Sequence, residues 1–420
     1  MYLLRLALQS LKNRRVTALL TVLVIALSVT LLLTVERVRS EARASFASTI
    51  SGTDLIVGAR SGSVQLLLYS VFRIGNATNN IRWESYNNIS TLPQVKWAIP
   101  ISLGDSHRGF RVMGTDQSYF SHFRFGRDKP LVFSQGKAFD DLYDAVIGAD
   151  IARELGYKLG TEMVLAHGAG AVSFVKHTDK PFHVSGILAK TGTPVDRTIH
   201  VSLQAITALH VDWQQGMPAR GSGHVSAEQT RQLDLTPTAI TAMLLGLNRR
   251  IDTFAVQRQV NQFSGEPLLA IMPGVALQEL WSLLSVAEKA LLLVSACVVL
   301  TGLVGMLSAI LGSLNERRRE MAILRSVGAK PWHIFSLLVL EAMALAAAGI
   351  LLGLGLLYIG LWITQPVLEQ EYGLFMPLGW PSPAECKLMA GILGASLLLA
   401  CIPAWRAYRL ALVDGLSIKT

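Results

Sequence analysis

Charge is scarce in this sequence. Asp, Glu, Lys and Arg make up 16% of its 420 residues, where soluble domains carry about 25%. With 51% hydrophobic residues, that scarcity excludes an ordinary soluble enzyme and indicates a membrane protein with a soluble part. Cysteine is rarer still. Cys297 and Cys401 fall inside apolar runs and Cys386 beside one, while the long segment 36–289 has none. A disulfide framework is therefore excluded there, and size alone has to supply the core.

Catalytic signatures are missing as well. No G-x-x-x-x-G-K-[ST] occurs: Gly136-Lys137 is followed by Ala138 and lacks a second glycine at the needed spacing. The chain cannot cradle nucleotide phosphates by that route. There is no H-E-x-x-H and no C-x-x-C, and Gly221-Ser222-Gly223 only superficially resembles a nucleophile elbow. His107, His122, His167, His177, His183, His200, His210 and His224 all lie in 36–289. Their spacings match no ligand pattern, so they read as scattered polar surface and no metal ligand is assigned. Asn76-Ala77-Thr78 and Asn88-Ile89-Ser90 fit the N-glycosylation pattern, which is read as chance outside a secretory eukaryotic setting.

What is present is long apolar runs. Val16–Val35, Ala290–Gly312, Ile334–Ile363 and Leu388–Tyr408 each suffice to cross a hydrocarbon core of about 30 Å. The first exceeds the roughly 7–15 residues of a signal-peptide core, so it reads as a retained anchor. Glu341 is the lone acid within the third run. A position near the inner interface, reaching water or an arginine, accounts for it better than a proton relay, because no other acid appears in the runs. Gly349 and Gly353 in the same run form a small-xxx-small pattern that suits close helix packing.

The net charge of +9 could suggest nucleic acid, but its distribution points to a membrane. Arg5, Lys12, Arg14 and Arg15 precede the first run. Arg317, Arg318, Arg319, Arg325 and Lys330 lie between the second and third, and Arg406, Arg409 and Lys419 close the chain. Glu369, Glu371 and Glu385 occupy the stretch between the third and fourth. By the positive-inside rule both termini and 313–333 are cytoplasmic, and 36–289 and 364–387 are outside.

The expected organisation follows. Residues 1–15 form a cytoplasmic amphipathic helix, 16–35 the first span, and 36–289 an outer stalk and core domain. Spans 290–312, 334–363 and 388–408 follow, separated by a cytoplasmic segment 313–333 and an outer loop 364–387. Residues 409–420 form a cytoplasmic tail. Helical patterns at Glu36–Ala47 and Val275–Lys289 extend the neighbouring spans as the stalk. Within the core domain, strands are expected at Ala145–Ile147, Phe182–Leu188, Ile240–Leu247 and Leu268–Ile271. Helices are expected at Asp150–Leu155, Ser226–Leu233 and Ile251–Gln262, so 240–271 reads strand–helix–strand. Gly58–Ser63, Gly75–Asn80 and Gly216–Gly223 read as exposed loops. The fold class is a membrane α-helical protein with four transmembrane helices. A large α+β periplasmic domain on a helical stalk is inserted between helices 1 and 2.

The segment 313–333 has the most specific pattern. Glu316–Ser326 is made of strong helix formers, with Met321 and Leu324 apolar between charges. Gly328 fits a helix-ending position and Pro331 the first turn of the next helix. A short charged helix across the inner membrane face, open to a cytoplasmic partner, is the expectation.

Those residues resemble the signature of the FtsX-like, MacB-type permease family of ABC transporters. Glu316-Arg317, Glu320-Met321-Ala322 and Arg325-Ser326-Val327-Gly328-Ala329 carry the likeness. Further matches are Leu6-Ala7-Leu8 to Arg14-Arg15, and Val146-Ile147-Gly148 with Ala152, Leu155-Gly156 and Leu159-Gly160. Val184 to Leu188 with Thr193-Pro194 and Asp196, and Pro403-Ala404 with Arg406-Ala407 and Arg409, complete them. The family's ending is often followed by a proline, where this chain has Leu412-Val413-Asp414.

The resemblance implies a non-catalytic inner-membrane permease subunit that works by mechanotransmission, as in type VII transporters, without a substrate channel through its spans. It implies a separate ABC ATP-binding subunit that holds ATP and Mg, with no cofactor in this chain. It also implies a second permease copy, a homodimer being expected, and a periplasmic substrate or partner, with membrane lipid around the spans and no nucleic acid. Glu316, Arg317, Glu320, Met321, Arg325, Gly328 and Ala329 are then the ATPase-coupling residues. The cargo is lipoprotein, peptide or small molecule. The alternatives are a membrane regulator of a periplasmic cell-wall hydrolase and a metal- or haem-related export system.

Overall fold

The computed structural model describes Gln9 and residues 14–126, 128–168, 177–214, 217–218, 225–316, 318–372, 376 and 378–409. Most of the expected 1–15 helix, the tail beyond Arg409 and most of the Gly216–Gly223 loop fall outside these. Seven helices matter here: α1 (Arg15–Ser48), α2 (Leu203–His210), α3 (Thr253–Asn261), α4 (Pro273–Glu316), α5 (Arg318–Ser326), α6 (Pro331–Tyr372) and α7 (Pro383–Arg409). The chain divides into two compact units. One comprises 1–42, 285–367 and 376–420, and the other 43–284 and 368–375.

In the helical unit, α1, α4, α6 and α7 are long and apolar enough to cross a membrane. All four expected runs lie inside them. Helix α6 continues past the expected end of its span to Tyr372, with Pro366 inside it. The small-residue pattern proves to be a packing seam. A Cβ on Gly349 would stand 2.5 Å from Ile25 Cγ2, and one on Gly353 would stand 2.7 Å from the Ala26 carbonyl oxygen. Only glycine lets α6 approach α1 this closely. Along that seam Thr30 Oγ1 donates to the Gly353 carbonyl at 2.9 Å.

A charged joint binds the same unit. Arg37 on α1 donates from Nε to Glu385 Oε1 at 2.8 Å and from Nη2 to Oε2 at 3.0 Å. The two side chains are 6% and 1% exposed. The guanidinium also lies 5.2 Å from the centroid of the Tyr358 ring on α6. Glu385 is the third residue of α7 and serves that helix too. Its carboxylate accepts from the Ser382 amide at 2.7 Å, while Ser382 Oγ accepts from the Glu385 amide at 3.2 Å. This reciprocal pair is a capping box. Glu341 is buried and lines a cavity of about 440 Å³ that Arg14 and Arg15 also line. That fits a position close to basic residues.

The other unit is built on one mixed sheet of eleven strands. They are β1 (Leu55–Ala59), β2 (Val95–His107), β3 (Phe110–Thr115), β4 (Phe133–Gly136), β5 (Asp144–Ile147), β6 (Glu162–Met163), β7 (Ala166–His167), β8 (Phe182–Leu188), β9 (Thr198–Ser202), β10 (Ala242–Leu247) and β11 (Leu268–Ile271). The order is β11–β1–β10–β2–β3–β9–β5–β8–β4, with β7 against β2 and β6 against β8. Pairs β9/β3 and β8/β5 are parallel, and the rest are antiparallel. The expected strand–helix–strand at 240–271 is present as β10, α3 and β11. Because β1 lies between β10 and β11 and is antiparallel to both, the unit is the split form.

Both faces of the sheet are covered, so β1 and β10 are apolar throughout. Alternate residues enter opposite cores: Ile56 and Leu244 one, and Leu55, Val57, Met243 and Leu245 the other. Gly58 is therefore not in an exposed loop, as its Gly/Ser surroundings suggest, but in a buried strand. A Cβ there would stand 2.5 Å from Leu66 Cδ1 and from the Tyr69 hydroxyl, so glycine admits the helix Ser63–Ser70 onto the sheet. The expected helix Ser226–Leu233 shortens to Ala227–Thr230, held by a Ser226/Gln229 capping box.

His200 on β9 is fully buried, with its ring 5.1 Å from that of Tyr119. Burial, reinforced by the nearby Arg73 charge, pushes its pKa down to about 3. The native imidazole stays neutral where the unfolded chain, with a pKa of about 6.5, binds a proton. Stability is complete above that value and falls as pH drops toward the native pKa. In His200→Leu the acid limb of thermal stability should be shallower by about 1.4 kcal/mol per pH unit. Near-ultraviolet circular dichroism melts between those limits check this, and parallel limbs would contradict it. For the helical joint, Glu385→Gln should lose about 3–5 kcal/mol by leaving Arg37 buried and uncompensated. Arg37→Met combined with Glu385→Gln should recover part of that loss, as a double-mutant cycle of denaturant midpoints would show.

Candidate functional site

Of the residues singled out between α4 and α6, Glu320, Met321 and Arg325 lie in the short helix α5, and Gly328 and Ala329 form its end. Glu316 is the last residue of α4, and Arg317 lies outside the described residues. In α5, Met321 and Ala322 are buried and Glu320 is exposed. The apolar residues of a charged sequence thus give the helix an inward side. Gly328 has φ +99°. Its amide donates to the Arg325 carbonyl at 3.0 Å, and the Ala329 amide donates to the Leu324 carbonyl at 2.9 Å. These two bonds around a left-handed residue constitute a Schellman stop.

The next helix starts at once. The Lys330 amide donates to His333 Nδ1 at 3.0 Å, and the His333 amide donates to the Lys330 carbonyl at 2.8 Å. Pro331 opens α6, where its missing N–H costs nothing. The structure therefore brings Arg325, Gly328 and Ala329 together through backbone bonds. It also places exposed apolar residues beside them: Ile323 at 49%, Val327 at 83% and Trp332 at 63%. Sequence reasoning dwelt on the charges and missed this apolar set, though Ile323 and Val327 stand four apart on one helical face.

The matched motifs of the sheet unit are structural. Asp196 is buried and accepts from the Thr191 and Gly192 amides at 2.8 and 2.7 Å. Thr193 caps the turn Pro194–Arg197. A Cβ on Gly148 would stand 2.3 Å from the Val195 and Asp196 carbonyl oxygens, so the two motifs meet backbone to backbone.

The histidines do not fit the expectation of scattered polar surface. His107, His177 and His200 are buried. His167, His177 and His210 converge on Asp105, with one ligand-type atom from each lying within 4.8 Å of the others. Asp105 sits on β2 directly opposite His167 on β7. His210 ends α2, and the His177 amide is fixed to the Leu165 carbonyl at 2.9 Å. His167 Nδ1 lies 3.2 Å from Asp105 Oδ1 and 3.1 Å from His210 Nε2. Burial alone would raise the Asp105 pKa, but the bonds from His167 and His210 outweigh it and hold the carboxyl down at about 2. Burial pushes His177 down to about 4. For His210 burial acts downward too, yet the Asp105 carboxylate prevails and raises it. The contributing positions come from separate elements, so no local spacing announces them.

Two family profiles match the chain. Residues 18–262 match the MacB-like periplasmic core domain, and residues 292–412 match the FtsX-like permease C-terminal family. Over 127 residues the chain is 28% identical to the macrolide export ATP-binding/permease protein MacB of Photorhabdus laumondii, covering 30% of this chain and 19% of that protein. Over 125 residues it is 28% identical to the uncharacterized ABC transporter permease YknZ of Bacillus subtilis, covering 29% of each. The matched stretch thus spans less than a third of either relative. The crystal structure of the periplasmic region of MacB from Actinobacillus actinomycetemcomitans aligns with 55% of this chain and 94% of its own, at 9% identity and a TM-score of 0.33.

At Gly328 a Cβ would meet nothing within 4 Å, so substitution there costs only backbone strain. Gly328→Ala should weaken the helix stop by about 1–2 kcal/mol. Amide exchange at Ala329 should quicken by about 5–30-fold, measured by hydrogen–deuterium exchange. Unchanged protection would show that the left-handed turn does not hold the stop.

Proposed function

The chain belongs to the FtsX-like permease family with a MacB-like periplasmic core domain, and on that premise we propose that it is the membrane subunit of an ABC transporter. In this reading a separate ATP-binding subunit, carrying ATP and Mg, docks on the cytoplasmic side at α5 and its flanks. Two permease copies pair in the inner membrane. ATP-driven closure moves α1 and α4, and the sheet unit delivers that motion in the periplasm. No cargo passes between the spans.

One observation carries the docking proposal. The nine-residue helix α5 combines exposed charge at Glu320 with exposed apolar Ile323 and, one residue past its end, Val327, and its end is fixed by backbone bonds at Gly328. Many helices end this way; it is the exposed apolar pair beside Glu320 that suits a partner surface. The basic flanks Arg14, Arg15, Arg406 and Arg409 favour the same side for α5 and both chain ends. In this reading the reaction chemistry belongs to the partner subunit, in keeping with the lack of a G-x-x-x-x-G-K-[ST] motif in these residues.

Arg317→Ala combined with Glu320→Ala should lower permease-stimulated ATP hydrolysis in the reconstituted complex, with the circular dichroism melt unchanged. Full stimulation by that variant would remove the coupling assignment. Pull-down with the full-length protein in detergent would then separate an exported lipoprotein or peptide from a cell-wall hydrolase as the periplasmic partner.

A further inference from the structure

We propose that Asp105, His167, His177 and His210 form a binding site for a divalent transition metal, with Zn²⁺ the best match. Zinc takes imidazole nitrogen and carboxylate oxygen at about 2.0–2.2 Å in tetrahedral geometry. That places neighbouring ligand atoms roughly 3.3–3.5 Å apart. Here the separations are 3.1 Å for His167 Nδ1 to His210 Nε2, 3.2 Å for His167 Nδ1 to Asp105 Oδ1 and 3.5 Å for His210 Nε2 to Asp105 Oδ1. The fourth ligand atom, on His177, lies within 4.8 Å of the other three. Moving the His177 ligand atom inward by up to roughly 1.5 Å would complete the tetrahedron.

The tautomers point the same way. His210 Nδ1 lies 2.9 Å from the Ile206 carbonyl oxygen, which can only accept, so Nδ1 carries the proton. In the neutral ring the Nε2 lone pair then faces Asp105 and His167, and a bound metal displaces the second proton that the Asp105 carboxylate favours there. A backbone carbonyl orienting a ligand imidazole in this way is the usual outer support of a metal site. With no ion, His167 Nδ1, His210 Nε2 and Asp105 Oδ1 crowd within 3.1–3.5 Å of one another and must share protons among them. A cation at the centre satisfies all of these atoms together.

The surroundings favour a built site over a chance cluster. Asp105 and His177 are 1% and 4% exposed, while the His167 side chain is 46% exposed and offers a route from solvent. Two ligands are cross-strand partners in β2 and β7, and a third ends a helix. Buried Lys180 would repel a cation, but it is ion-paired with Asp212 at 3.0 Å. Three imidazoles and one carboxylate suit zinc and its neighbours in the first transition row, not magnesium or calcium, which take oxygen ligands. Bound metal would pin β2, β7, α2 and the start of the segment leading to β8 to one another.

The test is titration of the detergent-solubilised full chain with Zn²⁺, purified without a polyhistidine tag. Calorimetry should give one saturable site per chain. Asp105→Asn, which keeps size, and His177→Ala should each weaken binding by more than about 100-fold, beyond the roughly 10–100-fold of an outer-shell change. His183→Ala, at an exposed histidine outside the cluster, should leave the affinity unchanged. X-ray absorption of the zinc-loaded protein should show nitrogen and oxygen neighbours only. Absence of a saturable site, undiminished binding in Asp105→Asn, or sulfur neighbours from Cys297, Cys386 or Cys401 would each overturn the proposal. None of these readouts involves the ATP-binding subunit, so the site stands or falls apart from the transport reading.

Discussion

A guanidinium and a carboxylate removed from water organise the helical unit. Arg37 and Glu385 are costly to bury singly, and each is tolerated because the other is there. Their bidentate geometry fixes the azimuth of α1 against α7, and the Tyr358 ring brings α6 to the same point. Three of the four long helices are thereby oriented at one level. The remaining helix, α4, is tied to α1 by lighter means, including Ser28 Oγ at 3.3 Å from the Val298 carbonyl and a close approach at Gly302.

Apolar helices need such devices because their surfaces are nearly interchangeable. Leucine against leucine gives little direction, and in lipid it gives little driving force. Direction comes from the few places where the chain departs from uniform hydrophobicity. Glycines at 349 and 353 let one backbone reach another, and Thr30 spends its hydroxyl on Gly353. The sheet unit solves a different problem. Strands β1 and β10 are apolar on both sides because both faces of the sheet are covered there, and polar motifs such as Thr193 and Asp196 close turns at strand ends.

Much of this was legible in the residues, and the exceptions have physical causes. The four helices announce themselves by length and charge. The stop at Gly328 and restart at Pro331 follow from backbone chemistry, which is local and therefore visible. Strands β8 and β11 were found to the residue, being short apolar runs between turn signals. Strand β2 was missed although it is the longest, at thirteen residues. Pro100 and Gly104 interrupt its pattern, and pairing with β10, β3 and β7 overrides them. Gly58 misled for a related reason, its flexibility suggesting a loop where the fold uses its small size. The Arg37–Glu385 pair was out of reach, since it joins residues 348 apart. The histidine cluster was equally hidden. Asp105 and His167 are 62 apart, and His167 and His210 are 43 apart, so only the sheet register and the end of α2 bring them together.

The junction at Gly328 has a mechanical meaning. The amide of Ala329 closes α5, and the amide of the very next residue, Lys330, is already committed to the first turn of α6. No residue between the two helices is left with a slack main chain. An elastic tether would absorb a displacement of α5, but this joint has no free length in which to store it. In the proposed coupling, a displacement of α5 would pass to α6 as rotation or translation of a rigid corner, within the strength of two hydrogen bonds on either side.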